Sequence, residues 1–592
     1  MTSHTELQKR SPSTLLIECL LAAIGSALLI LLVWNTTTVI FETNDDTSIA
    51  KTLMGYYDGD PIAYHAFING VLGRVLSGMS ELLPNVSWFT WFHIASLFIS
   101  TMCMLWCIIR LSCEAGLHLG AGSILGLSFC GAMMLLPMGR LQFSTTAAAL
   151  ATGATALQIL LGGMGPWKLS RAICLNGAST VLLLLSFCLR RDSFYAGFIF
   201  FVSAMVWQTC LVAGKDRKRL LRSATMAIAT LFVFACAVGL ALLYDQHLVQ
   251  GLNLEEYERW NTARALYMDY GHIPYSQNPQ LYQRINWPEP LYIMVRSWFF
   301  MDDRVTTGAF RTLNQALADA QITNHLGINF GEILNKSYLF FANDVRAFYN
   351  FIILNVLFVT AFLCAFIKRK RDWLTLGFAS IAYLSVFTLA AYLQWKGRIN
   401  YRAVFSFFLP AALILVIMLL KSFPFASMNR SKLVQAAVFA TLTAFLGLAS
   451  VHAVDMLNDP MTLQGYQWGM ANTAMLEKYA VDHPDTIVVY DLSLSGDFDV
   501  FPMSIDGRHP SNLFFWGGST MHDAAFKHRL AQRGLNELNS DLLLNGKAVY
   551  ATLSSDLSNS FENYMRDKYG NEIEKVTEQV GYITIISFLT KS

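Results

Sequence analysis

Long apolar runs alternate with polar segments along most of the chain. A membrane-crossing helix needs about twenty mainly apolar residues in a row. Runs of that length predict eleven spans, at residues 14–34, 88–109, 118–137, 143–161, 172–189, 194–213, 224–244, 349–367, 373–393, 403–420 and 433–451. The pattern therefore predicts a polytopic α-helical membrane protein with about eleven transmembrane helices.

From residue 452 onward the long apolar runs stop and charged residues return. Short β-like runs alternate with helical patterns there, which is typical of a small α/β domain. The β-like runs are 486–490, 512–516, 548–552 and 581–589, and the helical patterns are 462–480, 519–534 and 555–569. We therefore expect a transmembrane module at 1–451, which includes polar segments 35–87 and 245–348, and an α/β domain at 452–592.

Composition supports a membrane protein. Of 592 residues, 54% are hydrophobic and only 14% are charged, whereas soluble domains carry about 25% charged residues. The net charge of +2 gives no indication of a nucleic-acid partner, so membrane lipids are the expected surroundings. The ten cysteines lie in or beside apolar runs and form no disulfide or zinc-type spacing.

Basic residues in short loops predict the orientation, because Lys and Arg concentrate on the cytoplasmic side. Lys9 and Arg10 precede the first run, and clusters at 215–222, 368–371 and 421–432 fall on the same side, as do Lys168 and Arg171. A cytoplasmic N-terminus and an odd number of spans place both polar segments and the C-terminal domain outside the cytoplasm. We expect a multi-pass protein of the plasma (inner) membrane.

An acidic pair lies about ten residues beyond the first apolar run, in what the sequence predicts to be a short polar loop. The residues are Asn44, Asp45 and Asp46. Adjacent carboxylates just outside a membrane are not typical packing residues. A carboxylate there can accept the proton of an attacking hydroxyl or, with oxygen ligands, hold a divalent cation such as Mg²⁺ or Mn²⁺.

The rest of segment 35–87 predicts an amphipathic helix along the membrane interface. Asp60-Pro61 resembles a helix N-cap followed by proline at the first helical position. Apolar residues then recur at three-to-four spacing over 61–83. His65 lies on this predicted helix and is a possible substrate contact, although one histidine on such a helix is usually structural.

Five arginines stand against the topological preference, at predicted outer ends of spans. They are Arg140, Arg190, Arg191, Arg398 and Arg402. A guanidinium matches phosphate oxygens, so the set favours an anionic ligand. Lipid-headgroup anchoring, or pairing with carboxylates such as Asp192, is the alternative. Arg398 and Arg402 are expected on one helical face, at i and i+4.

Segment 245–348 is rich in aromatic and amide residues, among them Trp260, Asn261 and Tyr270. Such residues suit a sugar-binding surface, but interfacial anchoring by Trp and Tyr explains them equally well. A second acidic pair, Asp302-Asp303, is followed by Arg304. For this pair a solvated ion pair is the favoured interpretation.

In combination, these features resemble the C-type (GT-C) membrane glycosyltransferases. The resemblance is carried by Asn44-Asp45-Asp46, the predicted helix 61–83, Arg190-Arg191-Asp192, and Gly397-Arg398 with Arg402. It implies inverting transfer of a sugar from a polyprenyl-phosphate donor to a glycan, glycolipid or protein acceptor. Asp45 or Asp46 would act as the base, and the arginines would meet the departing phosphate.

Two other functions fit the same features. An O-antigen-type polymerase or ligase also uses arginines and a large loop with lipid-linked sugars, but needs no acidic pair after the first span. A lipid-sugar transporter or flippase would place its charges in the middle of the membrane, whereas these crowd the predicted outer ends.

Overall fold

The computed structural model describes residues 12–163, 169–213, 217–325, 330–367, 373–422, 432–505, 507–544 and 546–590. Several basic residues used above to predict orientation lie outside these ranges. They are Lys9, Arg10, Lys168, Lys215, Lys368, Arg369, Lys370, Arg371 and Arg430.

The described chain is mainly helical. In chain order the helices are α1 (Pro12–Thr36), α2 (Asn44–Met54), α3 (Gly70–Leu82), α4 (Trp88–Glu114), α5 (Leu119–Gly139), α6 (Phe143–Gly163), α7 (Leu169–Leu189), α8 (Arg191–Ala213), α9 (Arg217–Gly251), α10 (Glu255–Tyr270), α11 (Pro279–Arg284), α12 (Glu289–Arg296), α13 (Thr307–His325), α14 (Phe330–Asn343), α15 (Val345–Ile367), α16 (Trp373–Trp395), α17 (Tyr401–Ser422), α18 (Lys432–Leu457), α19 (Pro460–Asp482), α20 (Ala524–Gln532), α21 (Asp541–Leu544) and α22 (Ser555–Tyr569). The strands are β1 (Ile40–Phe41), β2 (Arg140–Leu141), β3 (Ile487–Tyr490), β4 (Leu513–Phe515), β5 (Ala548–Thr552), β6 (Ile573–Val580) and β7 (Ile583–Thr590).

Within the described ranges, eleven helices are long and apolar enough to cross a membrane, namely α1, α4 to α9 and α15 to α18. Each coincides with one predicted span, so the polytopic helical architecture is confirmed. The last candidate span lies within the stretch Ala436–Asp482, which covers most of α18 and all of α19.

Contacts divide the chain into two compact units. The first comprises Met1–Ile40, Trp91–Leu242 and Gly331–Asp459, and the second comprises Phe41–Thr90, Leu243–Phe330 and Pro460–Ser592. This division differs from the predicted single boundary at 451. Most of both long polar segments belongs to the same unit as the C-terminal domain.

The first unit is organised around two helices that its neighbours enclose. The candidate spans in α6 and α17 are 100% and 94% buried, whereas the span in α9 is only 17% buried. Small residues let neighbouring helices approach α6 closely. A Cβ on Gly153 of α6 would lie 3.1 Å from the Cα atom of Ser100, and a Cβ on Gly197 of α8 would lie 2.6 Å from the Cβ of Ala151.

The second unit contains a five-stranded sheet of order β4-β3-β5-β7-β6. Strands β4, β3 and β5 are parallel, and β7 pairs antiparallel with both β5 and β6. The sheet region and its helices confirm the small C-terminal α/β domain. Strand β6 is an addition to the four predicted strands.

Aromatic residues from segment 245–348 form one core with the C-terminal domain. The Phe299 and Trp516 ring centroids are 5.4 Å apart. The backbone N–H of Phe300 donates to the carbonyl oxygen of Trp516 at 2.9 Å. A Cβ on Gly517 would lie 1.6 Å from the carbonyl oxygen of Trp298, so only glycine allows this approach.

The second acidic pair lies in this core, and the prediction of a solvated ion pair is wrong for Asp302. Asp302 is 4% exposed. Arg304 Nε and Tyr564 Oη donate to its carboxylate at 2.8 and 2.6 Å. Asp303, by contrast, is 81% exposed at its side chain. Burial of Asp302 is possible because a neighbouring donor, Arg304, and a distant one, Tyr564, both meet its oxygens.

The predicted interface helix at 61–83 is shorter than expected. Helix α3 begins at Gly70, and its N-cap is Asn69, whose side chain accepts a hydrogen bond from the Val71 N–H at 3.0 Å. Asp60-Pro61 therefore caps no helix. The chain before α3 runs beside that helix instead of extending it. At the closest approach a Cβ on Gly73 would lie 1.9 Å from the Ala63 carbonyl oxygen. This packing outweighs the local preference of Asp60-Pro61 to begin a helix.

Candidate functional site

The acidic pair opens a helix instead of lying in a loop, which corrects the sequence prediction. Thr43 is the extended N-cap of α2, and Asp45 and Asp46 occupy its first turn. Negative charge is stabilised there by the helix dipole and by the unpaired backbone N–H groups. Gly55 ends the helix in a left-handed conformation, with φ 68°. The two carboxylates are therefore part of the first turn of a regular helix, which Gly55 caps at its other end.

The two carboxylates differ in accessibility. Asp46 is 0% exposed and accepts a hydrogen bond from the Thr43 hydroxyl at 2.7 Å. Asp45 is half-buried and Asn44 is exposed. Of the pair, only Asp45 has surface that a substrate hydroxyl could approach.

His65 is a buried neighbour of the same helix. It is 1% exposed, and its Nε2 lies 3.5 Å from the Ser48 hydroxyl oxygen on α2. Burial lowers the pKa of His65 to about 3. The imidazole is therefore neutral near neutral pH, and its observed contacts pack α2 against the segment before α3.

A buried charge cluster, absent from the sequence predictions, lies on the other end of α2. Lys51 is 3% exposed, and its Nζ lies 2.5 Å from carboxylate oxygens of both Glu477 and Asp497. The Tyr56 hydroxyl donates to Glu477 at 2.8 Å. Burial alone would lower the pKa of Lys51, but the two carboxylates raise it well above its ordinary value. Lys51 therefore remains an ammonium group.

A weak sequence signal for this cluster existed. Lys51 is the only charged residue between Ile49 and Met54, so on an amphipathic helix it stands among core positions. Its partners lie more than 400 positions away, where no local pattern connects them to α2.

Arg140 joins backbone ends within the first unit. It is 7% exposed, and its guanidinium donates to the carbonyl oxygens of Thr38 at 2.8 Å, Gly139 at 3.0 Å and Leu457 at 2.6 Å. These bonds satisfy carbonyls near the ends of α1, α5 and α18. They give Arg140 a structural role that the sequence did not predict.

Arg190 and Arg191 stand at the start of α8. Arg190 forms an ion pair with Asp192 at 2.8 Å and lies over the Phe143 ring at 5.1 Å. Arg191 lies over the Phe187 ring at 5.6 Å. The pairing of Arg190 with Asp192 is the alternative that the sequence left open.

Arg398 and Arg402 do not share a helical face, because α16 ends at Trp395 and α17 begins at Tyr401. Arg398 is in the connecting turn, and Arg402 is in the first turn of α17. The turn has a local cause: Gly397 adopts φ 76°, and the Asn400 side chain accepts the Ala403 N–H at 2.9 Å as a cap. Both arginines are half-buried.

The predicted sugar-contact residues of α10 have different environments. Trp260 is 5% exposed, is enclosed by the rings of Phe300 and His522, and donates its indole N–H to the Val305 carbonyl at 3.3 Å. It is a core residue with no surface for stacking. The Asn261 side-chain oxygen accepts hydrogen bonds from Arg264 at 3.0 and 2.6 Å. Tyr270 is 38% exposed.

The candidate residues fall into two sets by unit. Asn44, Asp45, Asp46, His65, Trp260, Asn261 and Tyr270 belong to the second unit, and the five arginines belong to the first. Among the described residues no group of three or more His, Cys, Asp or Glu side chains could hold a metal ion.

Comparison with known proteins gives one kind of match. No protein-family model matches the chain, and no curated protein matches its sequence. Among solved structures the chain is similar to ArnT from Cupriavidus metallidurans, in crystal structures of the apo state and of a complex with undecaprenyl phosphate. In each comparison 98% of both chains is covered, at 11% identity and a TM-score of 0.39.

Proposed function

We propose that the protein is an inverting membrane glycosyltransferase of the C type. It moves a sugar from a polyprenyl-phosphate donor to a hydroxyl group of a cell-envelope glycan, glycolipid or protein. One observation carries the proposal: a half-buried carboxylate, Asp45, stands in the first turn of a capped helix that begins eight residues after the first span ends at Thr36.

Asp45 is the proposed base. As the acceptor oxygen attacks the anomeric carbon, its proton passes to the Asp45 carboxylate, and the bond between that carbon and the phosphate oxygen breaks. The phosphate leaves with the bonding electron pair, and the configuration inverts. Asp46 is too buried to meet the acceptor directly, so we assign it the task of fixing the first turn through Thr43.

The departing phosphate gains negative charge and needs cations. Arg398 and Arg402 are proposed to meet this charge, because both are half-buried and a guanidinium matches phosphate oxygens. Arg191 could share this role.

The proposed orientation follows from loop charges. The described basic residues Arg217, Lys218, Arg219 and Arg222 at the start of α9 are placed in the cytoplasm with the N-terminus. The acidic pair, segment 245–348 and the C-terminal domain are then on the other side of the plasma membrane, where polyprenyl-linked sugars would be used.

Replacement of Asp45 by asparagine tests the proposal. Asp45→Asn removes the proton acceptor but keeps the shape, so transfer should fall about 100- to 10,000-fold. The assay measures release of polyprenyl phosphate from a panel of labelled polyprenyl-phosphate sugars, in membrane vesicles that contain the full chain and its envelope acceptors. Asp60→Asn is the matched control, since Asp60 is in the same segment with a side chain that is 63% exposed. Wild-type transfer by Asp45→Asn would refute the proposal.

A further inference from the structure

The C-terminal domain contacts α2 and the chain on both sides of it, and segment 491–500 contributes several of these contacts. Before the helix, the Phe41 N–H donates to the Phe498 carbonyl oxygen at 2.9 Å. Inside the helix, the Thr47 hydroxyl donates to the Asp497 carbonyl oxygen at 2.9 Å. All these residues belong to the second unit.

The buried charge cluster also connects α2 to the C-terminal domain. Lys51 lies 2.5 Å from Asp497 in segment 491–500 and 2.5 Å from Glu477 on α19. Because Lys51 and Glu477 are buried and the Asp497 side chain is only 17% exposed, their attraction is screened little by water, and each charge depends on the others. Lys51 is in the same rigid helix as Asp45, so its position fixes the position of the acidic pair.

Contacts also hold the chain just after α2. The Tyr56 carbonyl oxygen lies 2.6 Å from His509 Nδ1, and an Asp58 carboxylate oxygen lies 2.9 Å from His528 Nδ1. His528 is in α20 of the C-terminal domain. The acidic helix is therefore held before, within and after its length by residues that come more than 400 positions later.

Segment 491–500 is in turn set by a close backbone approach. Gly469 of α19 and Gly496 face each other, and a Cβ built on Gly469 would lie 2.8 Å from the Gly496 carbonyl oxygen. A distance under about 3.0 Å forces backbone to move, since no side chain can yield there. Two glycines thus determine how far segment 491–500 stands from α19.

We propose that the C-terminal α/β domain positions the acidic helix for catalysis, with Lys51, Glu477 and Asp497 as positioning residues. The proposal rests on the proposed function of Asp45. It assigns the domain a role in the transfer step itself, in addition to any contact with substrate. A base displaced by about 1 Å can lose about 100-fold in rate.

The glycine contact allows a test without any change of charge. Gly469→Ala should displace segment 491–500 and lower kcat about 10- to 100-fold, with the donor KM changed less than about threefold. Gly465→Ala is the matched control, because it is on the same helix and a Cβ there meets nothing within 4 Å. Both variants are made in the full chain and examined by size-exclusion chromatography and thermal unfolding before the kinetic assay.

Substitution of Lys51 in the charge cluster gives a second, independent test of the positioning role. Lys51→Met should lower kcat at least as much as Gly469→Ala, and Lys51→Arg, which keeps the charge, should recover part of the loss. Lys478→Met is the control, since Lys478 forms an exposed pair with Asp482 on α19. If Lys51→Met fails to fold, Gly469→Ala decides the question.

The outcomes separate the two proposals. Wild-type kcat in folded Gly469→Ala or in folded Lys51→Met, together with an inactive Asp45→Asn, would overturn the positioning role and leave the proposed function standing. An active Asp45→Asn would overturn the proposed function itself. Equal losses in Gly465→Ala and Gly469→Ala would also overturn the positioning role, because the close contact would then be irrelevant.

Discussion

The chain has two Asp-Asp pairs in its second unit, and they have opposite surroundings. Asp302 is buried among Arg304, Tyr564 and Lys568, while Asp303 beside it is exposed. Asp45 and Asp46 instead open a capped helix, where Asp46 is the buried member and Asp45 is half-buried. Two identical dipeptides therefore differ in what their carboxylates can do.

The difference comes from what stabilises each charge. Burial alone would raise the pKa of Asp302, but hydrogen bonds from Arg304 and Tyr564 lower it well below its usual range. Asp302 is thus a permanent anion that joins two parts of a core. The first turn of a helix stabilises an anion without covering it, so Asp45 can meet a substrate. Accessibility, more than residue type, distinguishes the proposed catalytic pair from the structural pair.

Substitution of Asp302, the buried member of the second pair, should give the largest difference in stability between the two pairs. Where Asp45→Asn should lose transfer and keep stability, Asp302→Ala should do the reverse. It leaves Arg304 and Lys568 without their carboxylate, which should lower the free energy of unfolding by about 3 kcal/mol. Chemical unfolding of the purified chain measures this loss, and transfer per folded molecule should match the wild type. A transfer defect in folded Asp302→Ala would break the distinction.

A pH series gives a smaller, related effect. Because the folded-state pKa of Asp302 is lowered, its stabilisation is present above the unfolded value of 3.8 and is lost as the pH falls below it. Between about pH 5 and pH 3 the unfolding temperature of the wild type should therefore drop more steeply than that of Asp302→Asn. Other carboxylates titrate in both proteins, so the difference isolates Asp302. Parallel curves would contradict the assignment.

The smallest effect is expected for the exposed member of the same pair. The Asp303 side chain is 81% exposed and lies 3.5 Å from Lys568. Surface ion pairs of this kind contribute about 0 to 1 kcal/mol. Asp303→Asn should leave the unfolding curve and the transfer rate close to wild type. A loss as large as that of Asp302→Ala would show that the two neighbours act as one unit.

Local patterns predicted much of the secondary structure. The eleven spans and the four strands β3, β4, β5 and β7 match apolar runs that the sequence shows directly. Strand β6 was missed because it is an edge strand with the sequence Ile-Glu-Lys-Val-Thr-Glu-Gln-Val, mostly exposed. Charged edge strands avoid aggregation but lack the apolar signal of a central strand.

The sequence predicted less of the candidate site around α2 than of the fold. Asp45 and Asp46 stood out because two carboxylates follow an apolar run. Lys51 did not, since its partners Glu477 and Asp497 are far away in the chain. Trp260 suggested a sugar surface by residue type, and only its packing against Phe300 and His522 showed that it is core.

By itself the sequence determined which segments can cross a membrane, because hydrophobicity over about twenty residues is a local property. It also determined that carboxylates follow the first span. Only the tertiary structure decided that most of the two long polar segments folds with the C-terminal domain, and which acid of each pair is covered. Burial depends on contacts between residues hundreds of positions apart, and no local period in the chain encodes them.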